Sequence, residues 1–457
     1  MRVGPGAEAL LVGVVAFGLR VALIVAVPSL YAFDAWQRWA GRGHLRVQDW
    51  MPATQALIAL SDALGLGAVG ARVLVAAAAA AGLGAAHALV RAWAPDAPRR
   101  LVLGGALALA AFGPLLTWTA TLYQEGPFLL AVLGPLALWA RAAAAPPGTP
   151  APPVWPADLL FGLAPLARTE GWPLLLVWVA LRLWETRRWT PLLAGWGAAA
   201  WLGGAALGWP ARHAASPIRY DDWDGLTRRF DLGHYAGSLL RLGEHALASG
   251  SWVWALLLVA GLPGLRGLPS RGPAVFLGLA LAGQLAATAF WLAGLEAATV
   301  RMQALPAAFA AVLGLAGLAR SRARAPRLAT AFGLGALGFA VYGAQDALSD
   351  ARRSAALARP ERALSAEIAA CAPGCFPIVR PRRGLGTRDR HDGCEILQGV
   401  SPFLHGRDFW CAPWAADGAR PPRAPTHTAR FRAGRYDWAE GDVSPSMSGD
   451  GGAAAPP

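Results

Sequence analysis

Residues 101–130 read LVLGGALALAAFGPLLTWTATLYQEGPFLL, and this stretch decides the architecture. From Leu101 to Ala120 there is no ionisable side chain, and a run of about 20 such residues is what crosses a hydrocarbon core as a helix. A short polar turn, Tyr123-Gln124-Glu125-Gly126-Pro127, leads at once into a second apolar run that lasts to Arg141. Two apolar runs back to back, with one carboxylate at the tip between them, describe a transmembrane hairpin.

The same texture extends along the chain. Of 457 residues, 55% are hydrophobic and 15% charged, against roughly 25% charged in soluble domains. Mean hydropathy is +0.38. That excludes a string of soluble domains, which would lack the polar surface to cover themselves. The net charge is +13 and the basic residues are all Arg, with no Lys. Nucleic-acid binding would need that charge as a stripe on a soluble face. Here the Arg residues stand mainly in the loops that flank apolar runs.

Reading outward from residues 101–130, spans fall near 8–28, 68–90, 101–121, 126–142, 157–168, 171–185, 190–210, 251–263, 273–293, 301–319 and 328–345. The fold class is all-α and polytopic, with about eleven transmembrane helices. The two shortest, 157–168 and 171–185, can also be read as one bent hairpin. The first run is too long for a signal peptide, Arg20 interrupts it, and further spans follow. Arg20 is costly inside the membrane and should face the bundle interior as a structural group. The Trp residues suit interface belts.

Arg in the short connections sets the orientation. With a cytoplasmic N-terminus, the inner loops hold Arg91, Arg99 and Arg100, then Arg141, then Arg182, Arg187 and Arg188, then Arg266 and Arg271, and last Arg320, Arg322, Arg324 and Arg327. The short outer turns at 121–126 and 294–300 hold none. Residues 1–345 then form the membrane domain, with a first outer loop over 29–67. An odd number of spans exports the tail, 346–411, of a bacterial-type inner-membrane protein. All four cysteines, Cys371, Cys375, Cys394 and Cys411, lie in that tail. Cysteines confined to an exported segment read as two disulfides, with a zinc site as the alternative. Glu361–Ala370 reads as an amphipathic helix and Phe376–Arg380 as a strand, giving a small α/β tail. Residues 412–457, rich in Pro, Gly and Ala, read as disordered.

Polar groups gather at the outer ends of the spans. Asp34 follows the first span closely, with Trp36, Arg38 and Trp39 beside it. Pro52–Leu66 reads as a surface helix whose Leu57, Ile58, Leu60 and Leu64 face lipid. Glu-Gly recurs at two hairpin tips, in Tyr123-Gln124-Glu125-Gly126-Pro127 and in Arg168-Thr169-Glu170-Gly171-Trp172-Pro173. Arg301 opens the segment Arg301-Met-Gln-Ala-Leu-Pro306 at the start of a late span. The cluster Asp221, Asp222 and Asp224, with His44 and His234, reads as solvated loop.

This arrangement resembles the GT-C superfamily of polytopic membrane glycosyltransferases, the mannosyltransferase and aminoarabinose-transferase-like enzymes that use polyprenyl-phosphate sugars. Asp34 matches the family's loop carboxylate. Residues 164–171 look like its "Leu-Thr-Arg-Pro-Glu-Gly-Leu" hairpin without the Pro, and 123–130 its "Ser-Glu-Pro-Leu-Phe-Leu-Leu" turn with Gly inserted. Residues 301–307 resemble its "Arg-Tyr-Leu-Leu-Pro" segment. The resemblance covers residues 8–345 and lacks a second carboxylate beside Asp34. It implies an inverting transfer with Asp34 as general base and Arg301 and Arg168 as phosphate ligands. Glu170, Glu125 and Trp36 would contact substrate. The partners implied are membrane lipid, the sugar donor and a lipid, glycan or protein acceptor, with no nucleic acid. A divalent cation, Mg or Mn, held by Asp34 through oxygen is left open. The rival reading, a transporter or lipid flippase, would want an internal repeat and a polar site at mid-membrane; no repeat is visible.

Overall fold

The computed structural model describes residues 4–28, 52–145, 150–168, 170–186, 249–269, 271–294, 301–321, 325–357, 359–371, 377–380, 410–411, 427–432 and 435–440, with isolated positions within 35–42 and 236–247. The chain divides into two units, one of residues 1–28 and 42–351, the other of 29–41 and 352–457.

The larger unit is helical. It contains α1 (Pro5–Ala26), α2 (Pro52–Ala63), α3 (Gly67–Trp93), α4 (Arg99–Ala111), α5 (Gly113–Thr119) and α6 (Glu125–Ala143). Then come α7 (Trp155–Phe161), α8 (Ala164–Ala167), α9 (Gly171–Thr186), α10 (Trp252–Leu265), α11 (Arg271–Gly294), α12 (Ala304–Arg320) and α13 (Ala325–Leu357), of which the residues up to Ala351 belong to this unit. Among the described residues α1, α3 and α6 are long and apolar enough to cross a membrane, and α4 with α5 makes a fourth if that bent pair is one span. Span 190–210 lies outside the described residues.

Span 101–121 is not one straight helix: α4 and α5 meet at 58°. Pro114 has no N–H, so the carbonyl of Ala110 loses its helical partner. Arg20 replaces it. This side chain is fully buried, and its Nη1 donates to the carbonyls of Ala16 at 2.9 Å and Ala110 at 3.3 Å, while Nε donates to Thr119 Oγ1 at 2.7 Å. An Arg at a helix centre costs about 2.5–3.5 kcal/mol on insertion scales; hydrogen bonds from a charged donor, each about 1.5–3 kcal/mol, offset it.

Small residues bring the helices close, as packing between helices in lipid favours. Gly261 and Gly264 of α10 lie against Gly314 and Gly317 of α12, and a Cβ at Gly264 or Gly317 would collide with the opposite backbone carbonyl. A Cβ at Gly82 of α3 would stand 2.9 Å from the Leu130 nitrogen of α6.

Two expectations about side chains are corrected. Trp93, Trp139, Trp178 and Trp254 are buried in the bundle, not set in an interface belt. Carboxylates make this tolerable for two of them: Trp139 Nε1 donates to Glu185 at 2.8 Å and Trp178 Nε1 to Asp158 at 2.9 Å. On α2, Ile58 is buried with Thr54, Gln55 and Ser61, while Leu60 and Leu64 are exposed. Its lipid-facing side is therefore narrower than the apolar count suggests.

In the smaller unit, α14 (Arg359–Cys371) buries Leu364 and Ile368. Strands β1 (Pro377–Arg380), β2 (Trp410–Cys411), β3 (His427–Arg432) and β4 (Arg435–Glu440) form one sheet in the order β2-β1-β3-β4. β1 pairs parallel with β2 and β3, and β3 antiparallel with β4. The hairpin β3–β4 corrects the expectation of disorder throughout 412–457: the alternation through Thr428, Arg430 and Arg432 satisfies a strand inside a Pro/Gly-rich surround. Cys375 and Cys394 lie outside the described residues.

Candidate active site

Charged side chains collect at two opposite ends of the helices. At one end, where α1 begins and α3 finishes, Glu8 is buried beside His87, Arg91 and Arg99, with Arg99 Nε at 2.7 Å. At the other end α1 finishes and α6 begins, and there the Glu-Gly turns meet.

Glu125 is the first residue of α6 and is 1% exposed. Its position at a helix N-terminus suits a carboxylate. Gly126 lets it sit so deep: a Cβ there would stand 2.7 Å from the carbonyl oxygen of Val75 on α3. The second Glu-Gly obeys the same rule, since a Cβ at Gly171 would run into the carbonyl of Ala164. The recurring dipeptide is a carboxylate followed by the one residue that lets two backbones touch.

Two arginines close on Glu125. Arg168, the residue that ends α8, donates from Nη1 to Glu125 Oε1 at 2.6 Å. Its Nη2 and Nε grip Glu170 at 2.6 and 3.2 Å. Arg301, on a single 3₁₀ turn ahead of α12, donates from Nε to the same Glu125 oxygen at 2.9 Å. Its guanidinium lies over the ring of Tyr123, 4.1 Å from the centroid, a cation–π contact. Next on that turn, Gln303 accepts from Ser249 Oγ at 2.8 Å.

Two carboxylates and two guanidiniums balance in charge, which lets a group this buried persist. The depth is graded. Glu125 and Arg168 form a floor, their side chains 1% and 6% exposed; Arg301 and Glu170 form a rim, each 16% exposed. All three donor nitrogens of Arg168 are engaged by carboxylates. Arg168 is thus placed to hold the two Glu-Gly turns together, and Arg301 is the guanidinium nearer the outside.

Of the residues singled out in the sequence, the structure brings together Glu125, Arg168, Glu170 and Arg301, from three separate segments. Asp34 and Trp36 lie outside the described residues, as do His44, Asp221, Asp222, Asp224 and His234. Among the described residues no group of three or more His, Cys, Asp or Glu side chains is placed to hold a metal ion. Glu125 and Glu170 do not fit a divalent cation, because guanidiniums already stand against them.

Sequence reading missed Arg72. It is fully buried on α3 and donates to the carbonyls of Val27, Pro28 and Ala120. The signal was present, an Arg inside an apolar run, the same one that marks Arg20.

No family model matches the chain, and no curated protein matches it significantly. Solved structures do. A crystal structure of ArnT from Cupriavidus metallidurans bound to undecaprenyl phosphate is similar over 92% of this chain and 92% of that one, with a TM-score of 0.60 and 13% identity. The Archaeoglobus fulgidus oligosaccharyltransferase, crystallised with Zn and sulfate, is similar over 86% of this chain and 61% of that one, with a TM-score of 0.51 and 13% identity. Both are GT-C glycosyltransferases. The chain shares their fold, and among its described residues three helices, or four with the bent pair, are long and apolar enough to cross a membrane.

Proposed function

We propose that the protein is a membrane glycosyltransferase that moves a sugar from a polyprenyl-phosphate-linked donor to an acceptor hydroxyl on the outer face of the membrane. The observation that carries this reading is the junction of Glu125, Arg168, Glu170 and Arg301 within a chain that shares the fold of ArnT.

Asp34 takes the proton of the acceptor hydroxyl, and the acceptor oxygen attacks the anomeric carbon. The bond from that carbon to the donor phosphate oxygen breaks, its electron pair leaving with polyprenyl phosphate. Displacement from the opposite face inverts the anomeric centre. The leaving phosphate needs no strong acid; it needs a cation at the oxygen that gains charge. Arg301 supplies it, since a planar guanidinium binds a phosphate through two donors. Glu125 and Tyr123 hold Arg301 in place, and Arg168 keeps Glu125 and Glu170 in register. The N-terminus is cytoplasmic and the tail exported.

The test is to incubate purified protein in proteoliposomes with a panel of labelled polyprenyl-phosphate sugars and to analyse what acquires the label. Transfer from one donor that is lost in Asp34→Asn supports the reading. No transfer from any donor in any lipid acceptor mixture sinks it.

A further inference from the structure

The turn that carries Arg301 holds a second polar group. Gln303 follows two residues later on the same single 3₁₀ turn and is 4% exposed. The two ends of its amide differ. Oε1 accepts from Ser249 Oγ at 2.8 Å. Nε2 is buried and has no hydrogen-bond partner among the described residues.

A short relay sets the orientation of this amide. Ser249 and Ser251 flank Gly250, whose φ of 75° lies in the left-handed region that glycine enters freely. Their hydroxyls meet at 2.8 Å. Ser249 has one hydroxyl proton and gives it to Gln303, so Ser251 is the donor in that contact. The relay ends on Gln303 Oε1, and the protons of Nε2 stay unspent. A buried donor without an acceptor is costly. What the turn offers after Arg301 is therefore a donor, not an acceptor.

The setting favours an anion as its partner. Arg301 supplies a guanidinium on the same turn. α12 begins at the next residue, Ala304, and the N-terminus of this 17-residue helix is the positive end of its dipole. Pro306, in that first turn, has no N–H to give; the Gln303 amide supplies a donor there instead.

We propose that Gln303 is a ligand of the donor phosphate, its Nε2 giving a hydrogen bond to one nonbridging oxygen while Arg301 supplies the charge; this rests on the reading given under Proposed function. As the acceptor oxygen bonds to the anomeric carbon, the bond from that carbon to the phosphate oxygen breaks and polyprenyl phosphate leaves with the electron pair. A neutral donor already oriented by the protein counts most at that moment, when charge grows on the phosphate.

The test uses the full chain in proteoliposomes, with Gln303→Met, which removes the amide, and Gln303→Glu, which keeps an acceptor for Ser249 but turns a carboxylate toward the phosphate. For each, kcat, donor KM, binding of labelled polyprenyl phosphate and the thermal midpoint are measured. Two phosphorothioate donors are compared, in which sulfur, a weak acceptor, replaces one or the other nonbridging oxygen. In the original protein one of the two should be slower by about tenfold. Gln303→Met should lower kcat about 100-fold with KM within about threefold, and the two phosphorothioates should then react alike. Gln303→Glu should weaken polyprenyl phosphate binding by about tenfold or more through like-charge repulsion.

A Gln303→Met kcat within about twofold of the original overturns the proposal. So does a lower midpoint and kcat with the phosphorothioate preference intact, because Gln303 would then act on the fold alone. Should Gln303→Met not fold, Gln303→Glu decides by itself: undiminished binding of polyprenyl phosphate overturns the assignment. If the original protein transfers no sugar, the functional reading fails separately. The comparison of polyprenyl phosphate binding between the original and Gln303→Glu then still decides, weaker binding in the variant supporting the phosphate site and equal or absent binding in both ending it.

Discussion

Arg301 and Glu125 stand 176 residues apart in the chain, and Arg301 Nε meets Glu125 Oε1 at 2.9 Å. That contact joins the turn before α6 to the 3₁₀ turn before α12, and Arg168 completes it from a third segment at 2.6 Å. Both arginines grip the same Glu125 oxygen, so the members of the junction should respond to substitution together.

Glu125→Gln removes the charge of the carboxylate that Arg168 and Arg301 both grip. Removing one partner of a buried ion pair costs about 3–5 kcal/mol, and the thermal midpoint should fall accordingly. Arg168→Gln should do similar damage. The double variant should be less harmed than the sum of the two, with a coupling of about 0.5–3 kcal/mol. Strict additivity in a melting series would show that the contact carries no shared energy.

The Glu-Gly turns were legible as motifs, but not their purpose. Hydropathy located the hairpins because every residue of a span must avoid water. It could not show that Gly126 and Gly171 are there for close backbone approach, since that depends on what lies opposite. Replacing Gly126 with Ala should therefore push α6 from α3 and lift Glu125 out of its seat. The expected readout is a lowered midpoint together with loss of transfer, whereas Gly18→Ala, where a Cβ meets nothing within 4 Å, should be silent.

The bend at Pro114 shows the opposite limit. From sequence, residues 101–121 pass as one span and Arg20 as a costly charge in span 8–28 that faces the bundle interior; only the structure pairs the Arg with the carbonyl that Pro114 leaves vacant. Arg20→Leu removes the charge and also takes the Arg20 donor from Ala110 O, while Thr119 keeps its own donation to the Leu115 carbonyl. An unsatisfied buried polar group costs about 1–3 kcal/mol, so this apolar substitution should destabilise a protein in lipid rather than stabilise it. Equal or better thermal stability of Arg20→Leu would mean that the bend holds without its staple.

Asp34, the proposed base, and Arg301, the proposed phosphate ligand, should separate in kinetics. Asp34→Asn should abolish transfer while expression, membrane insertion and donor binding persist, because an amide cannot take the acceptor's proton. Arg301→Lys should keep a cation but lose the two-donor grip and the Tyr123 stack, raising donor KM and lowering kcat together. Binding of a labelled polyprenyl phosphate, measured apart from turnover, distinguishes them: retained in Asp34→Asn and weakened in Arg301→Lys. Full transfer activity in Asp34→Asn removes the base from the mechanism. Undiminished binding in Arg301→Lys would instead assign the phosphate to another cation, and Arg301 would be left with the structural work of bridging Tyr123 and Glu125.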